Sequence, residues 1–210
     1  MTNKPALYEK PALYAKPPVL RGQRIQLRAL AQRDLPAFTA YRCHPDVARY
    51  QSWTDYDAVR AQQLLDNQQN SDFGAPDSWF QLAICDTNDA LIGDLALHFL
   101  DNNQLEIGFT LAPAHQGKGY AAEAVRCLLS WFFEEDGNSS YENSSVEKPK
   151  GHRVSATCDT ENHASYQLLE RLGFRREAHF VENIFFKGAW GSEYQYALLR
   201  REWQAMQGGS

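Results

Sequence analysis

The stretch LEIGFTLAPAHQGKGYAAEAVRCLLSWFF, Leu105 to Phe133, changes its hydrophobic period halfway along. Leu105, Ile107, Phe109 and Leu111 alternate with Glu106, Gly108 and Thr110, which predicts a strand with one apolar face. Ala121, Val125, Leu128, Leu129 and Phe132 then recur at helical spacing and form an apolar stripe. Between them lies Gln116-Gly117-Lys118-Gly119-Tyr120-Ala121. A glycine turn that leads from a strand into a helix aims backbone N–H groups, and the positive end of the helix dipole, at one spot. Such a spot suits a diphosphate.

The spacing narrows the choice of anion. A Walker A loop needs Ser or Thr after Gly-Lys and an earlier glycine. Here Gly119 follows Lys118 and Ala112 holds the earlier place. Gly117, Gly119 and Ala122 satisfy a loose dinucleotide fingerprint, but Ala112–His115 separates the loop from its strand. The acidic residues that follow, Glu134-Glu135-Asp136, fall in a polar run and not at the end of a next strand. Nucleotide binding is therefore the faintest of three readings.

The third reading fits the loop, which matches Q/R-x-x-G-x-G/A. Together with LEIGFTL before it, NHASYQLLERLGF (Asn162–Phe174) and KGAWGSEYQYALL (Lys187–Leu199), it resembles the GNAT acetyltransferases over roughly Val19 to Trp203. Within them it is similar to the branch of ribosomal-protein alanine acetyltransferases. The resemblance implies an acetyl-CoA-dependent N-acetyltransferase that acts by direct attack in a ternary complex. The acceptor would be a primary amine, either a protein N-terminus or a small molecule. The alternative is a non-catalytic coenzyme A-binding or sensing protein of the same fold.

Composition is consistent with this. A chain of 210 residues, 43% of them hydrophobic, can bury one substantial core. No apolar run is long enough to span a bilayer, and the N-terminus lacks the apolar core of an export signal. Cys43, Cys85, Cys127 and Cys158 are scattered, as expected of reduced thiols in a cytoplasmic protein. Net charge is −5, with no basic block to favour nucleic acid. The histidines and cysteines are not spaced as a zinc site, so no metal is expected. The sequence allows a monomer or a homodimer.

Residues 1–18 carry KPALYE, KPALYA and KPP, which predict an extended arm, docked or disordered. A single domain is expected over 19–204. Its first strand runs from Val19 to Leu30, followed by helices over Asp34–Arg42 and Asp57–Leu65. In the family that helical pair roofs the acceptor side, where Tyr50, Trp53 and Tyr56 would either pack the core or shape substrate choice. A hairpin joins Trp79–Asp86 to Leu91–Phe99, and a polar insertion occupies 135–150. A strand over His152–Asp159 leads to a helix over His163–Leu172, capped by Asn162 and stopped by Gly173-Phe174. A closing hairpin pairs Phe174–Phe186 with Glu193–Arg200 across Lys187–Gly191, and 205–210 reads as a tail. The order βααβββαβαββ predicts an α/β fold: a mixed, mostly antiparallel sheet with helices on both faces, which is also the fold of the family.

Acetyl transfer needs a held coenzyme, a neutral amine, a polarised carbonyl and a proton for the thiolate. The amides of Gln116, Gly117, Lys118, Gly119, Tyr120, Ala121 and Ala122 would cradle the pyrophosphate. Lys118 either adds charge there or is solvated, and His115 beside the loop could touch phosphate. The resemblance assigns the pantetheine arm to the backbone of Phe109, Thr110 and Leu111, with one N–H polarising the thioester. Glu106 shares the polar strand face with Gly108 and Thr110 and is the first candidate for the base, with Glu182 second. Many family members place a tyrosine acid where this chain has Leu169. The ribosomal-type N-x-x-S pattern matches Asn162 and Ser165 instead, which makes Ser165 the candidate acid and Asn162 a coenzyme contact as well as a cap. Tyr166 is held in reserve.

Overall fold

The first strand is not continuous. Gly22-Gln23-Arg24 folds it into a hairpin of β1 (Leu20–Arg21) and β2 (Ile25–Ala29), with Leu20 opposite Leu27. A Cβ on Gly22 would fall 2.6 Å from a Glu123 carboxylate oxygen, so the turn lies close against Glu123. In this computed structural model residues 17–133 and 151–208 are described. The expected arm up to Lys16 and the 135–150 insertion lie outside the described residues.

The chain continues through α1 (Leu35–Arg42), a short α2 (Pro45–Ala48) and α3 (Ala58–Gln69). Then come β3 (Ser78–Asp86), β4 (Leu91–Leu100) and β5 (Gln104–Leu111). After the glycine loop follow α4 (Tyr120–Phe133), β6 (Arg153–Asp159), α5 (His163–Arg171), β7 (Arg175–Phe186), β8 (Ala189–Leu199) and α6 (Arg200–Gln207). The sheet order is β1-β2-β3-β4-β5-β6-β8-β7, antiparallel at every junction except β5–β6. Leu95, Leu97, Leu105, Ile107 and Val154 bury one face of the sheet with α4 and α5. Leu35 and Phe38 of α1 and Ala61 and Leu65 of α3 cover Ala83 and Cys85 on the other. The fold is therefore an α/β sheet with helices on both faces, as expected.

Several boundaries differ from the sequence reading. The closing hairpin turns on two residues, Lys187 (φ 50°) and Gly188 (φ 86°), both left-handed as a tight hairpin turn requires. Ala189–Gly191 therefore belong to β8. Helix α6 extends into the stretch read as a tail and is anchored by buried Trp203. Helix α5 ends as expected: Gly173 N–H donates to Glu170 O and Phe174 N–H to Leu169 O, both at 3.0 Å.

What positions the site is the parallel junction. Only Gln104, Leu105 and Glu106 of β5 face Arg153, Val154 and Ser155 of β6. Beyond Glu106, β5 stays paired with β4 as far as Leu111, while β6 follows β8 to Asp159. The two strands part, and the sheet forks.

Candidate active site

Main-chain directions along β5 can be fixed from its two ends. His152 N–H bonds Asn103 O at 2.8 Å on the β6 side, and Ala112 N–H bonds Ile92 O at 2.9 Å on the β4 side. Because directions alternate, Phe109 and Leu111 turn their peptide groups into the fork, and Thr110 turns to β4. Gln116 Nε2 donates to the Leu111 carbonyl at 3.0 Å, tying the start of the glycine loop to the strand. The Phe109 peptide group and the Leu111 N–H then face the opening. Thr110 contributes its side chain, whose Oγ1 lies 3.5 Å from Gln51 Nε2.

Below the fork, Gly117 (φ 71°) and Gly119 (φ 83°) are both left-handed. The first bond into α4 is Glu123 N–H to Gly119 O, at 3.1 Å. The N–H groups of Tyr120, Ala121 and Ala122 precede that bond and have no carbonyl behind them within the helix. The space around Gly117 is open, and a Cβ on Gly119 would meet only Arg24, at 3.3 Å. Arg24 braces the loop. Its Nε bonds Glu123 at 2.8 Å, its terminal nitrogen bonds the Lys118 carbonyl at 2.9 Å, and its guanidinium lies 4.8 Å from the Tyr120 ring centre. Half-exposed at the mouth of an anion-type loop, Arg24 is a residue that sequence reasoning missed, since it comes from a turn far away in the chain. These residues fit a diphosphate carried on an extended arm.

Above the fork is a cleft of about 540 Å³. Its floor is a grid of residues sharing one sheet face: Trp79 and Gln81 from β3, Asp94 and Ala96 from β4, and Glu106, Gly108 and Thr110 from β5; His98 continues the same face just outside the cleft, between Trp79 and Glu106. Ala96 and Gly108 stand side by side at its centre, and their small size makes the hollow. Tyr50, Trp53 and Tyr56 all line it, so the three aromatic residues that the sequence left between core and acceptor face the cleft. The Tyr50 hydroxyl donates to the Glu161 carbonyl at 3.0 Å, joining the segment after α2 to the loop before α5. Trp53 and Phe38 sandwich Arg42, which pairs with buried Asp94 at 2.8 Å; Tyr41 also donates to Asp94.

Glu106 lies at the point where the fork opens, with its side chain 31% exposed. Its Oε2 is 3.3 Å from His98 Nδ1, and its Oε1 accepts from Thr157 at 3.4 Å. Ser165 and Asn162 line the cleft, and the Asn162 side chain caps α5 by accepting from Ser165 N–H at 3.3 Å. Leu169 also lines it, at the place where a tyrosine was expected in relatives. Tyr166 is not among the lining residues. It packs edge-on against Tyr194, with ring centres 5.8 Å apart, and Arg176 lies over its ring. Glu182 is also elsewhere, on an exposed bulge of β7 at φ 47°. Trp131, Phe132 and Phe133 are core, as expected.

One lining residue changes the chemistry to be considered. Cys158, on β6, faces the cleft although no cysteine occurs in the strand–loop segment. Burial, reinforced by Asp159, pushes its thiol up to about 11. Among the described residues no cluster of His, Cys, Asp or Glu could hold a metal ion, and no helix is long and apolar enough to cross a membrane.

A forked, mostly antiparallel α/β sheet with a glycine loop under the fork and a carboxylate at its opening defines the class of N-acetyltransferases. Residues 24–175 match the acetyltransferase (GNAT) domain, and the chain belongs to that family. It is similar to the uncharacterized N-acetyltransferase p20 of Bacillus licheniformis, 27% identical over 86% of this chain and 96% of that one. YnaD of Bacillus subtilis is 35% identical, over 55% of this chain and 61% of its own length. Among solved structures, a GNAT-family acetyltransferase of Bacillus anthracis superposes with a TM-score of 0.72 at 26% identity, covering 87% of this chain and 99% of that one. The spermidine N-acetyltransferase of Vibrio cholerae, solved with CoA and spermine, shares the fold with a TM-score of 0.69 at 21% identity, over 86% and 98% of the two chains.

Proposed function

We propose that this chain transfers the acetyl group of acetyl-CoA to a primary amine by direct attack in a ternary complex. The acceptor class follows the ribosomal-protein branch, a protein N-terminus, with a small amine such as a polyamine as the other arm of the test. The observation that carries the reading is Glu106, a carboxylate that lines the cleft at the point where β5 and β6 part.

Acetyl-CoA supplies an activated acyl carbon on a good leaving group. In the fork, the N–H groups of Phe109 and Leu111 hold the pantetheine arm, and one of them donates to the thioester oxygen as it gains charge. The amides from Gln116 to Ala122 hold the diphosphate, with Lys118 and Arg24 adding charge. Glu106 takes the proton of the acceptor ammonium. An α-amine, titrating near 7.7–8.0, asks less of this base than a side-chain amine near 10.4. The nitrogen bonds to the acyl carbon, the carbon–sulfur bond breaks, and the Ser165 hydroxyl donates to the departing sulfur while it takes up the second proton shed by the nitrogen. Ser165 is preferred to Tyr166 because it lines the cleft.

Titration with acetyl-CoA, beside NADH and ATP, tests the coenzyme; micromolar binding of acetyl-CoA alone is the expected result. Glu106→Gln should then lower kcat by about 10²–10⁴ while acetyl-CoA binding persists. Undiminished turnover in Glu106→Gln would remove the base assignment. A wild-type chain that binds acetyl-CoA but acetylates neither peptides nor amines would be the sensing protein instead.

A further inference from the structure

The base is not isolated. On its far side Glu106 meets His98, and His98 Nε2 lies 3.0 Å from Asp77 Oδ1. Asp77, just ahead of β3, is 92% exposed in its side chain, whereas His98 is only 15% exposed. The three groups therefore form a line from the cleft to bulk water. The ring is held in one plane by Trp79, stacked on it at 4.4 Å between centres with 12° between planes. Asp77 is held by its own backbone: it is left-handed, at φ 55°, and its N–H bonds Phe99 O at 2.7 Å. Trp79, His98 and Glu106 occupy one row of the same sheet face, across β3, β4 and β5, so the sheet register itself builds the line. An exposed carboxylate contributes little to stability through such a pair. A left-handed position suits Asp and Asn alike; what sets Asp77 apart is its carboxylate beside His98 Nε2.

The geometry points to a proton exit: His98 carries the proton taken by Glu106 out to Asp77 and solvent. This rests on Glu106 as the base. Acetylation of an ammonium by a thioester releases one net proton per turnover, the other going to the thiolate. With coenzyme and acceptor filling the cleft, water cannot reach Glu106 from that side. The protonated Glu106 passes its proton to His98 Nδ1, and His98 Nε2 gives its own to Asp77 and on to water. The carboxylate is restored and the ring is left in its other tautomer. Once products leave, the Nδ1 proton returns to Glu106 and passes to water in the open cleft, and Nε2 regains a proton from bulk through Asp77. The charged and polar groups facing the ring are Asp77, Glu106 and, beyond Glu106, the Thr157 hydroxyl. His98 and Asp77 are positioning residues that act through Glu106.

The test is acetyl transfer by the full chain to the better of spermidine and an alanyl-initiated peptide. In His98→Ala, kcat should fall about tenfold to a hundredfold while the KM for acetyl-CoA stays within about twofold. Added imidazole should restore kcat in proportion to its concentration. Pyrazole, which has the same shape but does not take up a proton near neutrality, should not. Asp77→Asn, a surface change that leaves the core intact, should lower kcat with the same sparing of KM. The exit is overturned if His98→Ala keeps wild-type kcat, or if pyrazole rescues as well as imidazole. Glu106→Gln separates the two readings. If it loses turnover while both His98→Ala and Asp77→Asn are normal, only the exit fails. If Glu106→Gln itself is normal, the base reading fails.

Discussion

At the scale of single residues, environment decides chemistry more than residue type does. Cys158 is a nucleophile by type and lines the cleft, so an acetyl-cysteine route has to be judged on its surroundings. With its thiol near 11, the thiolate fraction at pH 7 is on the order of 10⁻⁴. That favours direct transfer. Cys158→Ala should leave kcat within about twofold, and mass spectrometry after incubation with acetyl-CoA should find the chain unmodified. A trapped acetyl group on Cys158 would reverse the mechanism. Arg42 makes the complementary point. Wedged between aromatic rings and paired with Asp94, it cannot offer a full positive charge to the acceptor, although it lines the cleft. Its guanidinium holds the acceptor wall in place, and removing one member of such a buried pair typically costs about 3–5 kcal/mol.

At the scale of elements, the readable parts were those whose signal is local. The alternation of β5, the glycine loop and the stripe of α4 lie in one continuous stretch, and Glu106 emerged from that alternation alone. The Gly22 turn did not, because Leu20, Ile25 and Leu27 still look like one alternating strand; the break shows only in the bond from Gly22 N–H to Ile25 O and in the close contact with Glu123. His98, Thr157 and Asp77 were invisible for a related reason. They meet Glu106 through the register of three other strands, and nothing near them in sequence marks that register. The same long-range logic joins the strands at the far edge. Glu177 of β7 bonds Arg153 of β6 at 2.5 and 3.0 Å and Arg175 at 2.5 Å, clasping β7 and β6 across β8. The Arg153 bond, helped by Arg175 against a smaller opposing effect of burial, draws the Glu177 carboxyl from 4.5 down to about 2. A carboxyl depressed in the folded state stabilises fully above its unfolded value and loses that contribution as pH falls through the folded one. The clasp should therefore hold at neutral pH and fade between about pH 4.5 and 2. With Glu177 a quarter exposed, its worth is about 1 kcal/mol. Glu177→Gln should melt about 2–4 °C below the wild type at pH 7, and thermal scans should show the two converging as pH drops towards 2. A gap that persisted at pH 2 would mean that the charge is not what holds these strands.

At the scale of the whole molecule, the fork is a sheet left unfinished. The β5–β6 ladder stops after three residue pairs, and past Glu106 no ladder bonds among the described residues join the two halves of the sheet across the gap. Phe109 and Leu111 present peptide groups that in an ordinary sheet would bond a neighbouring strand. An extended amide-bearing arm, such as pantetheine, can take that neighbour's place. Binding would then join the β1–β5 half to the β6–β8 half and stabilise the fold as a unit. A ligand that binds only the folded state contributes about 2.7 kcal/mol at a hundred times its dissociation constant. For a domain of this size that corresponds to a rise in Tm of roughly 5–10 °C. Thermal scans with saturating acetyl-CoA should show that rise in the wild type and in Glu106→Gln, whose loop and fork are intact. Gly119→Glu should show none, because a carboxylate side chain on a left-handed residue would fill and repel the diphosphate site. If Gly119→Glu were stabilised as much as the wild type, coenzyme binding would not run through the loop, and the assignments from Gln116 to Ala122 would fall while the fork could still stand. If neither were stabilised, the gap would not be a coenzyme site, and the reason for parting β5 from β6 would have to be sought in the acceptor cleft alone.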